Sequence, residues 1–181
     1  MTMTVSKISL EPFDSLRDLP LLESWLQTPH VSRWWGATEA HLATLSQRSN
    51  DTHALVSAAG RAVGYLCWQT PSKAELASPG LADLPERLVD IDILIGEPDA
   101  LGSGIGERAL DLLLARLRRA GAEYAGAATS NGNLAAIRVF EKVGFRLFRT
   151  FEEVGPEAPD ATTYRYLLAD LRDADPVRDE G

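Results

Sequence analysis

A single cysteine, Cys67, stands in a chain of 181 residues, so no internal disulfide is available to it. It lies in the apolar run Val63-Gly64-Tyr65-Leu66-Cys67-Trp68. Those are the surroundings of a buried core thiol; a nucleophilic cysteine needs partly exposed, electropositive neighbours. A reducing, cytoplasmic compartment is the expectation. No apolar run approaches the roughly 20 residues that cross a bilayer. The opening residues Met1 to Lys7 lack the basic and apolar blocks of a secretion signal, so no membrane partner is expected. Basic residues are in the minority: 18 Lys and Arg face 26 Asp and Glu, a formal charge of −8. That balance argues against nucleic acid, whose phosphates demand clustered cations. It is compatible with a cationic small molecule drawn to an acidic cleft, and equally with plain solubility. Internal repeats and low-complexity linkers are also missing. Residues 1–170 therefore read as one domain, long enough to bury a core without staples, with a charged tail over 171–181. Either a monomer or a homodimer is compatible with the sequence.

The pattern that is present reads as mixed α and β. A strand is predicted from Val5 to Pro12. Asp18 then reads as an N-cap, with Pro20 in the first turn of a helix carrying Leu21, Leu22, Trp25 and Leu26, ended or interrupted by Pro29. A second helix runs from about Thr38 to Arg48. Strands Thr52–Ala58 and Ala62–Gln69 form a hairpin across Ala59-Gly60-Arg61. Pro71 to Pro85 reads as a surface loop. A β-branched strand over Arg87–Ile95 feeds a glycine-rich turn and a leucine-rich helix, Ser103–Ala120, closed by Gly121. A short strand, Glu123–Ala128, precedes a helix over Asn133–Lys142 that places Leu134, Ile137 and Phe140 on one face and ends at Gly144. Phe145–Glu152 and Thr162–Leu168 complete the strands. The predicted fold is an α/β (α+β) sandwich, a mostly antiparallel sheet with a parallel pair near its middle, flanked by helices.

A strand leading through Leu101-Gly102-Ser103-Gly104-Ile105-Gly106 into a helix presents several backbone N–H groups and a helix dipole to an anion. A Walker-type phosphate loop needs Gly-Lys-Ser/Thr, and Glu107 and Arg108 follow Gly106. The relaxed dinucleotide pattern does match at Gly104, Gly106 and Ala109, but that fold places an acidic residue at the end of the next strand. Here that strand ends at Ala127-Ala128-Thr129, without a carboxylate for a ribose.

The same loop, after Ile91-Asp92-Ile93-Leu94-Ile95-Gly96, resembles the pyrophosphate loop of the GNAT superfamily of N-acetyltransferases. The stretch Asn133-Leu-Ala-Ala-Ile-Arg-Val-Phe-Glu-Lys-Val-Gly-Phe145 is similar to that superfamily's later helix, Asn-x-x-Ala-x-x-x-Tyr-x-x-x-Gly-Phe. Trp25-Leu26, His30-Val31-Ser32-Arg33-Trp34-Trp35-Gly36 and Ile91-Asp92 leading to Glu97-Pro98 look most like the aminoglycoside 6′-N-acetyltransferases and their relatives that acylate siderophore precursors. The resemblance implies acetyl-coenzyme A as cofactor, held by Ile93, Leu94, Ile95, Leu101, Gly102, Ser103, Gly104, Ile105, Gly106, Asn133, Ala136 and Phe140, with a parallel strand pair splayed around it. It implies that Trp34 and Trp35 contact the acceptor; an indole face suits a sugar ring or an ammonium group. It implies Asp92 as general base. An alkyl ammonium is protonated at neutral pH, so a carboxylate beside it binds the cation and takes its proton. Asp90, two residues earlier on the same strand face, is a second acceptor-binding carboxylate suited to a polycation. Backbone N–H groups around Leu94 are expected to polarise the thioester carbonyl.

Two departures stand out. Phe140 occupies the place of the tyrosine thought to protonate the leaving thiolate, which leaves Tyr124, Tyr164 or water for that role. Ala128-Thr129 replaces an Asp-Pro whose aspartate helps hold an aminoglycoside; Glu75, Asp83, Glu86 or Asp160 are the acids that could compensate. The expected activity is acetyl transfer to a primary amine of a cationic small molecule, the 6′-amino group of an aminoglycoside first, hence antibiotic resistance. Alternatives are an acyltransferase for a lysine-like siderophore precursor or a protein N-terminus, or a non-catalytic acyl-coenzyme A-binding module.

Overall fold

The computed structural model describes residues 7–36, 38–45, 50–77, 80–155 and 158–172. Seven strands form one sheet: β1 (Ile8–Pro12), β2 (His53–Ala58), β3 (Arg61–Gln69), β4 (Leu88–Ile95), β5 (Tyr124–Ser130), β6 (Arg146–Gly155) and β7 (Ala158–Asp170), in the spatial order β1-β2-β3-β4-β5-β7-β6. Every neighbouring pair is antiparallel except β4 and β5. The expected mixed sheet with one central parallel pair is therefore the observed one. Most of the tail over 171–181 lies outside the described residues.

Alternation along β4 divides the molecule into two layers. Its odd residues, with Ile91 fully buried, join the larger core under α5 (Ile105–Arg119) and α6 (Leu134–Lys142). In α5, Ala109, Leu110, Leu113, Leu114 and Leu117 recur at helical spacing and all are buried. Each such leucine removed from water contributes about 1.5–3 kcal/mol. On the even side, Leu94 belongs to a second core built by α1 (Ser15–Leu26), α2 (Pro29–Trp35) and α3 (Thr38–Leu45), whereas Leu88 belongs to a third, with Leu81, Leu84 and Tyr166. Asp90 and Asp92 fall between these two clusters.

Several local expectations are corrected. The N-cap of α1 is Asp14, whose side chain accepts from the amides of Leu16 and Arg17. Asp18 is the reciprocal partner, accepting from the Asp14 N–H at 2.8 Å and from the Arg17 guanidinium. That pairing holds its carboxyl below the usual carboxylate range. Pro20 sits inside the helix rather than in its first turn; the carbonyl it leaves without an amide partner is that of Leu16, whose side chain is 95% exposed. The first helix ends at Leu26, and Pro29 opens α2, where its missing N–H is harmless. The Pro71–Pro85 segment contains a short helix, α4 (Lys73–Ala77). In α6, Ile137 and Phe140 are buried but Leu134 is half-exposed at the first turn, above the core.

Candidate active site

The parallel ladder is short. It pairs Leu88 with Tyr124, Val89 with Ala125 and Asp90 with Gly126, after which β4 and β5 part. On its other side β4 stays paired with β3 through Ile95 opposite Gly64. The Gly96 N–H bonds the Val63 carbonyl. Bonded pairs alternate in an antiparallel ladder, so Leu94 and Asp92 share that phase with Tyr65 and Cys67, and the peptide groups of Ile93 and Ile95 turn toward the opening. The amides expected to face a ligand near Leu94 are thus those of its two neighbours.

Two adjoining cavities occupy the opening. The larger, about 480 Å³, runs along the start of α5 and the exposed side of α6. Of the residues expected to hold a cofactor, Ile93, Leu94, Ile95, Leu101, Gly102, Gly104, Ile105, Gly106, Asn133, Ala136 and Phe140 all line it. Ser103 does not; its hydroxyl donates to the Ala100 carbonyl at 2.6 Å and braces the turn. Gly104 takes φ +77 as the N-cap of α5 and offers no side-chain cap, so the amides at positions 105 to 107 lack intrahelical acceptors. A methyl at Gly106 would meet protein only at ordinary contact distance, Val139 at 3.6 Å, and would project into the groove. Asn133 caps α6 through its Oδ1, which accepts from the Ala136 N–H at 3.2 Å. Lys142 and Glu107 pair at the groove's rim.

The smaller cavity, about 330 Å³, is walled by Trp34, Trp35, Tyr164 and Phe140, with Asp92 and Cys67 on the strand side and Thr129, Ser130 and Asn133 opposite. Asp92 is exposed there and accepts a long contact from the Cys67 Sγ at 3.9 Å. The tryptophans are delivered by α2, which is fixed to the end of β4. The His30 Nε2 meets the Ile95 carbonyl at 3.0 Å, and the neighbouring Trp25 Nε1 donates to Glu97 at 2.8 Å. Trp34 is 38% exposed, whereas Trp35 packs against the second core and edge-on to His41.

Asp90 corrects an expectation. It lines neither cavity; its carboxylate accepts from the Tyr166 hydroxyl, and burial pushes its pKa up to about 6. Burial, with the Asp90 charge beside it, also raises the Tyr166 phenol. Nor do Glu75, Asp83 and Glu86 reach the site. Asp83 is held by Arg149 and Glu75 caps its own helix at Ser72, while Glu86 is exposed outside both cavities. The side chain of Asp160 lies outside the described residues. Of the two candidate tyrosines, Tyr164 lines the smaller cavity; Tyr124 lies under the Arg172 guanidinium, away from both. Sequence reasoning missed Cys67 as a neighbour of Asp92 and Tyr166 as a partner of Asp90. The register of β3 on β4 and of β7 on β5 creates both contacts, and no local pattern announces either.

The family model described as an acetyltransferase (GNAT) domain matches residues 14–153. No curated protein matches the chain in sequence. Among solved structures, AAC(6′)-Ib in complex with paromomycin and acetyl-CoA superimposes with a TM-score of 0.73 at 21% identity, over 97% of this chain and 99% of that one. AAC(6′)-Ib with coenzyme A and kanamycin gives 0.70 at 20% identity, covering 91% and 95%. An aminoglycoside N(6′)-acetyltransferase from Legionella pneumophila gives 0.70 at 17% identity, covering 96% and 97%. At such identities the likeness is one of fold.

Proposed function

The chain belongs to the acetyltransferase (GNAT) family, and on that premise we propose that it transfers an acetyl group from acetyl-coenzyme A to a primary amine of a cationic small molecule, with Asp92 as general base. The observation that carries this reading is the parting of β4 and β5 after Asp90 and Gly126. It puts the start of α5 on one side of a continuous opening and an exposed carboxylate between aromatic walls on the other. The residues fit coenzyme A. Unpaired amides at the start of α5 suit its phosphates, Gly106 leaves room for a close approach, and Ile93, Ile95, Ala136 and Val139 offer an apolar channel for a pantetheine arm. When bound, acetyl-coenzyme A supplies the thioester that carries the acetyl group. The peptide groups of Ile93 and Ile95, turned to the opening, are the donors placed to hold a carbonyl oxygen. Asp92 attracts the ammonium and takes its proton, while Trp34 and Trp35 close over the cation and shield it from water.

Supporting the finer reading, an aminoglycoside 6′-amino group, are the tryptophan pair on α2 and the fold likeness to enzymes whose structures contain kanamycin and paromomycin. A specific observation favours a second acceptor class, a lysine-like amine or a peptide N-terminus. Ala128 stands in the wall of the smaller cavity where a carboxylate would help hold a polycation, and Asp83 and Glu75 are engaged elsewhere. Thiol release measured across kanamycin-type aminoglycosides, lysine derivatives and short peptides decides between them. Turnover of an aminoglycoside is the expected result; silence with every aminoglycoside overturns the first choice, and silence with every amine leaves an acyl-coenzyme A-binding module. The cofactor assignment has its own measurement. Acetyl-coenzyme A is expected to raise Tm by several degrees through binding to the native state alone, and NAD is expected to leave it unchanged. A shift with NAD instead would return the loop to the dinucleotide reading.

A further inference from the structure

Behind Asp92, at the apex where the parallel strands part, three residues from three strands meet. Asp90 is the last β4 residue paired with β5, opposite Gly126. Tyr166, from β7, reaches across β5 and donates its hydroxyl to the Asp90 Oδ1. Gly126 is what makes this crossing possible. A Cβ there would lie 2.6 Å from the Asp90 Oδ1 and closer still to the Tyr166 hydroxyl. Tyr166 is itself 2% exposed, clamped among Leu81, Leu84 and Leu88, so its hydroxyl is fixed in place. Asp90 and Asp92 share one face of β4, roughly 7 Å apart along the strand, with only the second opening into the acceptor cavity.

We propose that Asp90 and Tyr166 form a positioning pair for Asp92, a second carboxylate held behind the base by a tyrosine hydroxyl. The inference rests on the reading of Asp92 as base. Other groups around the pair are Glu75 of α4, which adds negative charge toward Asp90, Cys67 of β3 beside Asp92, and Gly126 of β5 beside Asp90. An ionised Asp90 raises the proton affinity of its neighbour, since two like charges on one face disfavour each other. Asp92 then competes better for the ammonium proton. The Tyr166 hydroxyl opposes the effect of burial and keeps Asp90 ionised further down in pH than it would otherwise be. Below about pH 6 Asp90 takes up a proton and the reinforcement is lost.

Loss of Asp92's charge and loss of the Tyr166 hydroxyl predict opposite shifts of the Asp90 step, which a merely structural role does not. The probe is carboxyl-carbon NMR of the full-length protein labelled at aspartate, titrated without any ligand, so the acceptor need not be known. Asp90→Asn is expected to abolish the carboxyl step near pH 6 and, with it, the shift change that the Asp92 carboxyl carbon shows over the same range. Tyr166→Phe is expected to move the Asp90 step up. By reciprocity Asp92→Asn, a change at an exposed side chain that leaves the packing intact, lowers the Asp90 step, and this variant serves should either buried substitution fail to fold. With kanamycin as acceptor, the loss of kcat/KM near pH 6 is expected to vanish in Asp90→Asn and to move upward in Tyr166→Phe. An Asp90 step unmoved in Asp92→Asn overturns the proposal, as does an Asp90 step that stays or falls in Tyr166→Phe. Loss of the base assignment has a separate signature, full turnover in Asp92→Asn, which leaves the titration coupling intact.

Discussion

Asp92→Asn is expected to lower kcat/KM for the acceptor amine by about 10²-fold or more at neutral pH, within the range assigned to a positioned general base, while leaving the affinity for coenzyme A unchanged. The second half follows from placement: Asp92 lines the smaller cavity and is absent from the lining of the larger one. The amide is isosteric and the position exposed, so Tm should hold. The deficit should also depend on pH. An alkyl ammonium has a pKa near 10, so as pH rises the amine arrives already neutral and needs no base. The ratio of wild-type to variant activity is therefore expected to narrow steadily from pH 7 to 9.5. A ratio that stays constant over this range would mean that Asp92 binds the acceptor without moving its proton. Turnover equal to that of the wild type at pH 7 removes Asp92 from the reaction altogether.

What sequence alone revealed, and what it hid, divides along the two cavities. The glycine loop was legible because its requirements are local: a positive φ at Gly104 and a helix that starts without a side-chain cap. Asn133 was legible only through the motif it opens; that it caps α6, its Oδ1 accepting from the Ala136 amide, is what the structure adds. The positions of the strands followed from the alternation of turns and apolar runs, and the mixed sheet with a parallel pair from the strand–loop–helix–strand segment, whereas the order of the strands in the sheet is what the structure adds. Errors arose where a partner from elsewhere in the chain decides. Asp18 has the composition of an N-cap, but the helix starts one turn earlier and Asp18 becomes the second member of a reciprocal pair. Asp90 and Asp92 do share a strand face, as period-two alternation requires. They nonetheless differ in kind, because Tyr166, 76 residues away, covers one and not the other. Asp83 reads as a free surface acid until β6 brings Arg149 against it.

The acceptor side is accordingly the harder half to read. Its walls come from α2, α3, β3, β4, β5, α6 and β7, and no short motif spans so many elements. The tryptophan pair is the exception. Two adjacent indoles on a seven-residue helix are conspicuous in sequence, and one of them is needed for packing while the other stays exposed. Phe140 shows why absence of a group is easier to read than its replacement. The missing hydroxyl was evident at once, whereas the presence of Tyr164 in the same cavity depends on β7 lying beside β5.

Gly96→Ala is expected to be among the most damaging single-methyl changes near the site, and the reason joins stability to function. Gly96 is buried at the end of β4, with its N–H on the Val63 carbonyl. A Cβ built there would fall well inside 3.0 Å of three carbons of the Trp25 indole. That ring cannot swing aside, being 2% exposed in the second core and tied by its Nε1 to Glu97, the residue next to the substitution. Either α1 moves off the sheet or the end of β4 does. Overpacking of this kind costs typically 1–3 kcal/mol, occasionally more, and at about 2–4 °C per kcal/mol for a chain of this size the Tm should fall by roughly 2–12 °C. Gly60→Ala is the control. It sits in the β2–β3 turn with φ +81 and no atom within 4 Å of the added methyl, so only the left-handed backbone is strained, at about 1–2 kcal/mol. The two should separate in activity as well as in melting. Trp25 and Gly96 adjoin the His30 contact to Ile95 that holds α2, so a shift there carries Trp34 and Trp35 away from the smaller cavity and opens the turn that leads to α5. Gly96→Ala protein that remains folded is therefore expected to show a raised KM for the amine and weaker coenzyme A binding together, whereas Gly60→Ala keeps both. A Gly96→Ala protein with wild-type Tm and both affinities intact would mean that the indole yields, and that the link from α1 through Trp25 does not set the position of the tryptophan pair.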